Sequence, residues 1–175
     1  MLRLATLAPM AAGALLCGCN PTISFDTSVK GTSQIPGSSV PGVLQLPANL
    51  GGLNNINFQQ QANLSNNNTD KDHIDHVRVK SLTLTVTTPS PGDLSFLKTL
   101  SLSVASAGLP TKRIAHLEVF PAGQASIAMT LDDVDLAPYA KAASFSINAD
   151  GSGTAPSQNT SIDATMVMTI DAHVL

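Results

Sequence analysis

Ile162, Ala164, Met166, Met168, Ile170, Ala172 and Val174 take every second position near the end of the chain. Asp163, Thr165, Thr169, Asp171 and His173 fill the positions between, with Val167 the exception. Successive side chains of a strand point to opposite faces, so seven alternate apolar positions predict one long strand with a buried face along its whole length. Such a strand must pair, and the sequence before it supplies partners. Residues 22–29 alternate Ile23, Phe25 and Val29 against Ser24, Asp26 and Ser28, and predict a first strand. Residues 77–87 alternate in two phases, Val77 and Val79 on one parity and Leu82, Leu84 and Val86 on the other. An extra residue in one strand produces such a phase change, which predicts a β-bulge near Lys80-Ser81. Leu100, Leu102 and Val104 predict another strand, closed by Gly108 and Pro110. Further strands are expected at 114–120, around the inward face Ile127, Met129 and Leu131, and at Phe145, Ile147 and Ala149.

Residues 136–143 read as a single short helix. Acids precede it and Lys141 lies near its end, in agreement with the helix dipole. Residues 30–54 are rich in Gly and Pro and read mostly as loop, with a short strand near 43–46; a strand is expected around 56–60 before the Asn-rich turn at 66–68. Six to eight strands separated by Gly/Pro turns, without a βαβ rhythm, predict an all-β fold: an antiparallel β-sandwich with one short helix. Its architecture is immunoglobulin-like, but it lacks the Cys…Trp…Cys signature and licenses no function.

With 175 residues, the chain is sized for one domain. A net charge of -3 excludes a nucleic-acid binder that works through a basic face, and 12% charged residues exclude a coiled coil. Both cysteines, Cys17 and Cys19, stand near the N-terminus, so the rest of the chain has no disulfide to hold it.

The N-terminus carries one positive charge, Arg3, then an apolar run from Leu4 to Leu16, then Cys17-Gly18-Cys19. This is the order of a secretory signal, and the run is shorter than the roughly 20 apolar residues of a transmembrane helix. Its end, Leu16-Cys17-Gly18-Cys19, resembles the lipobox of bacterial lipoproteins: Leu16, Gly18 and Cys19 fit, and Cys17 is a less usual small residue at the second place. The resemblance implies a signal peptide over residues 1–18 and cleavage before Cys19, whose thiol carries the lipid. A single domain over residues 19–175 follows, with an irregular stretch at about 30–70. The membrane is then a partner through the lipid on Cys19. Asn20, rather than Asp, follows that cysteine, which by the family's sorting rule favours the outer membrane in a host with two.

The densest polar cluster is Asp70-Lys71-Asp72-His73-Ile74-Asp75-His76. Carboxylates suit Ca²⁺ and imidazoles suit Zn²⁺ or Cu²⁺, so Asp72, His73, Asp75 and His76 are candidate ligands. Against this, Ile74, Asp75 and Ser81 stand where an EF-hand loop needs Asp or Asn, Gly and Glu. The plainer reading is a solvated turn, capped by Asp72, leading into the long strand. Asp132, Asp133 and Asp135 offer a second Ca²⁺ candidate, or simply cap the helix. His116 and His173, the latter sharing a polar face with Asp171, lack a motif that would place a nucleophile beside them. No cofactor and no enzymatic activity is expected. Two functions follow: a lipid-anchored, non-enzymatic module for binding, adhesion or envelope structure, with an envelope protein as partner, or a carrier of an apolar ligand between the sheets. Met166 and Met168 motivate the carrier, since Met adapts to varied ligands.

Overall fold

The computed structural model describes residues 21–39, 42–45 and 64–175. Cys19, the signal segment and the strand expected around 56–60 lie outside these residues. Among the described residues the chain forms β1 (Thr22–Ile35), β2 (Val43–Gln45), β3 (Ile74–Thr88), β4 (Leu97–Ser106), β5 (Leu109–Leu117), β6 (Ser126–Ala128), β7 (Thr130–Leu131), α1 (Ala137–Lys141), β8 (Ser146–Thr154) and β9 (Thr160–His173). Two antiparallel sheets result, in the orders β1-β9-β3-β6 and β2-β8-β4-β5-β7. Among the described residues the sheets face each other across one apolar core and do not close into a barrel. The fold is a β-sandwich.

The strand with the clearest alternation organises the first sheet. β9 lies between β1 and β3, and its inward residues Ile162, Ala164, Met166, Met168, Ile170 and Ala172 are all buried. Leu102, Val104 and Ile147 meet them from the other sheet with no surface exposed. Each fully buried side chain of this kind contributes about 1.5–3 kcal/mol relative to exposure. The bulge falls where the phase change placed it: Val79 opposes Met168, Ser81 opposes Val167, and Lys80 is the extra residue.

Several expectations are corrected. β1 does not end at residue 29; it runs to Ile35, so the irregular stretch begins only after it. Gly31 does not interrupt the strand: Val29, Gly31, Ser33 and Ile35 continue the buried parity opposite β9. The strand expected at 114–120 spans Leu109–Leu117, with Pro110 inside it rather than closing β4. The turn before it rests on Gly108 alone, whose φ of 76° suits a residue without Cβ. Ile127 and Leu131 share no single strand. β6 pairs with β3, β7 pairs with β5, and the chain crosses from one sheet to the other at buried Met129. α1 is shorter than 136–143, being one turn over Ala137–Lys141.

Candidate functional site

The strand ends near Thr22 and His173 gather most of the titratable side chains that the sequence singles out. Asp70, in extended conformation, caps the 3₁₀ turn Lys71–His73: its Oδ1 accepts from the Asp72 and His73 backbone N–H groups at 2.9 and 3.2 Å. The cap is therefore Asp70 and not Asp72, because the turn begins two residues earlier than a cap at Asp72 would set it. The same oxygen lies 2.7 Å from His73 Nδ1, and this hydrogen bond holds the Asp70 carboxyl below its ordinary pKa.

The four candidate metal ligands do not converge. His73 turns to Asp70, His76 Nδ1 meets Asp135 Oδ2 at 2.7 Å, and Asp75 Oδ2 meets His173 Nε2 at 3.1 Å. Asp72 is exposed. A second bulge causes this divergence: Ile74 opposes Ala172 and His76 opposes Asp171, so Asp75 is an extra residue that breaks the alternation. Among the described residues no group of three His, Cys, Asp or Glu side chains could hold a metal ion.

Asp135 does the most structural work here. Its Oδ1 accepts from Val77 N at 3.0 Å and from Ala137 N at 2.9 Å, which ties the start of α1 to the first residues of β3. Burial pushes its pKa up, but the bonds from His76, Ala137 and Val77 outweigh that and leave the carboxyl below its ordinary value. The Asp triplet is thus divided. Asp135 serves the helix start, while Asp132 takes a two-pronged contact from Arg113, with Nε at 2.8 Å and Nη2 at 3.1 Å, and Asp133 is exposed. The Arg113 hydrogen bonds hold Asp132 low in pKa.

The histidines are engaged as structural partners. His116 Nδ1 lies 3.4 Å from Asp132, and Ser101, which faces it across β4 and β5, donates to the Asp150 carbonyl at 3.3 Å instead. His173 pairs with Asp75 rather than with Asp171, and its Nδ1 is buried without a hydrogen-bond partner.

The opposite end of the strands carries a groove of about 580 Å³, lined among others by Pro89, Phe96 and Pro156 and by Ser157 and Gln158. Among the described residues Asp93 is the one charged residue in its wall, and it is already committed: it accepts from the Ser95 N–H and hydroxyl at 3.1 and 2.7 Å and from Gly123 N at 3.1 Å. The Ser95 hydroxyl is the main reason its pKa is lowered. The groove was not visible in the sequence, because its walls come from loops about 30 residues or more apart. Their Pro, Gly and Ser residues signal turns and nothing more.

No protein-family model matches the sequence, and no curated protein does. Among solved structures, the chain is similar to a 60-mer BFDV capsid protein at 7% identity and a TM-score of 0.40, covering 89% of this chain and 95% of that one. A decameric BFDV capsid protein gives 7% identity and a TM-score of 0.41, over 87% of this chain and 99% of that one. Neither bears on what this chain does.

Proposed function

We propose that the chain is a bacterial lipoprotein whose part from Cys19 onward is a non-enzymatic β-sandwich, held at a membrane by its lipid and serving to bind an envelope partner. The observation that carries this reading is the closeness of Cys19 to the folded body. Only Asn20 and Pro21 separate it from β1, and the Pro21 carbonyl is fixed by Val174 N at 3.1 Å. A lipid on Cys19 would therefore keep the sandwich within roughly 10 Å of the bilayer surface. Two or three acyl chains suffice for firm anchoring, since each buried CH₂ contributes about 0.8 kcal/mol. In a two-membrane host, Asn20 favours the outer membrane. The groove at Phe96 lies at the far strand ends, clear of the tether, and its nearly uncharged lining suits a neutral polar partner surface.

The packed interior supports a binding module over a carrier. Met166 and Met168 have no exposed surface, even to a water-sized void, so they fill the space between the sheets rather than line an opening there. The test is the intact mass of the protein extracted from its own membranes. A mass equal to residues 19–175 plus a diacylglycerol, with or without an amide-linked acyl chain, supports the proposal, as does release of a Cys19→Ser variant into the soluble fraction. An unlipidated mass, or a Cys19→Ser variant that stays with the membrane, overturns it.

A further inference from the structure

The four sheet edges among the described residues are unequal. β2, β6 and β7 are three, three and two residues long, whereas β1 runs for 14 with β9 on one side and no described strand on the other. Short edges are one way proteins avoid unwanted pairing, and a long open edge is a template for another strand. β1 carries one edge lysine, Lys30, and otherwise little of the usual protection. It contains no Pro, and its outward residues are Thr22, Ser24, Asp26, Ser28, Lys30, Thr32 and Gln34.

We infer that β1 is the self-association surface of this protein, pairing antiparallel with β1 of a second copy about a two-fold axis at Ser28. The charges choose that register. Asp26 and Lys30 stand symmetrically about Ser28, so each Asp26 faces the other copy's Lys30. An axis at Asp26 or at Lys30 would set like charges opposite each other, which destabilises a pair of strands. A one-residue slip would set outward residues against inward ones and is excluded by burial. Lys30 is exposed and forms no ion pair among the described residues. Asp26 accepts from Lys80 and, at 2.7 Å, from Thr169, which orient its carboxylate and leave acceptor sites open. The other opposed outward pairs, Ser24 with Thr32 and Thr22 with Gln34, are polar. On the inward side, half-buried Phe25 lies opposite Gly31, which has no side chain to collide with it. The arrangement is closed and isologous, as a discrete dimer requires. The two N-termini then leave at opposite ends of the β1 pair, about 40 Å apart at the strand rise, each Thr22 beside the other copy's Gln34. The pairing itself does not rest on the anchor.

Disulfide trapping in the full chain tests the register, with the parent protein setting the background from Cys17 and Cys19. Residues directly opposed in an antiparallel pair lie within disulfide reach. Ser28→Cys is expected to cross-link to a dimer on oxidation in the membranes of producing cells. Ser24→Cys and Thr32→Cys are expected to stay at background alone and to cross-link when co-expressed. Lys30→Glu, at an exposed position, should weaken self-association measured in mild detergent by about tenfold or more. A folded Ser28→Cys protein that gives no dimer above background overturns the inference, as does equal cross-linking at all three positions. Repeating the trap with Cys19→Ser separates the two readings: loss of anchoring with dimer retained leaves this one standing.

Discussion

Asp135 shows how a single side chain can be legible in kind and illegible in detail. An acid before a helix was expected to serve the helix start, and it does, through Ala137 N. That the same oxygen, Oδ1, also binds Val77 N while Oδ2 meets His76 follows only from bringing together residues about 60 positions apart. Asp135→Ala leaves two backbone N–H groups without this acceptor and should cost about 1–2 kcal/mol in urea unfolding, while Asp135→Asn keeps Oδ1 and should cost less. The folded-state pKa is depressed, so the contribution is full above the unfolded value of about 4 and is lost as pH falls through the lower folded value. Acid titration of stability should therefore show a weaker dependence below about pH 4 in Asp135→Asn than in the parent. Gly153 is a second residue whose role is invisible in sequence. It lies in β8, where a Cβ would run into the Phe96 carbonyl. Gly153→Ala should destabilise by about 1–3 kcal/mol through overpacking, the opposite of the usual effect of removing a flexible glycine, and thermal melting decides it.

β3 is the element in which sequence and structure agree most closely. Its phase change located the Lys80 bulge, because an extra residue must reverse the inward parity and the apolar residues record that reversal. Removing Lys80 restores unbroken alternation from Val77 to Val86, so the deletion should still fold, losing the bulge and the contact with Asp26. Removing Thr83 instead sets Leu82 and Leu84 side by side and turns one of them, both 1% exposed, out of the core. That deletion should lose about 2–5 kcal/mol or fail to fold, and circular dichroism with urea titration distinguishes the two. β1 and the segment 126–131 were harder to read. β1 continues past Gly31 because its inward face is supplied by register with β9 rather than by its own apolar residues. Residues 126–131 keep one alternation while serving two sheets, and no local pattern reveals where a chain changes sheets.

At the scale of the molecule, about 30 apolar side chains pack into one core and both cysteines lie before Asn20. A strong reductant should therefore leave the thermal midpoint of the domain unchanged; a fall would mean a disulfide holds it. The candidate metal cluster is another lesson at this scale. Asp72, His73, Asp75 and His76 are neighbours in sequence, but the bulge at Asp75 and the approach of Asp135 and His173 divide them into separate pairs. What the sequence determined by itself is what local periodicity and spacing can encode: all-β class, most strands, the bulge at Lys80, the short helix near Ala137–Lys141 and the inward faces. Strand order, sheet crossing, the far-end groove, the partner of each histidine and the open edge at β1 were decided by tertiary structure. Each depends on which distant segments lie side by side, and the period of two that marks a strand says which face is buried without saying against what.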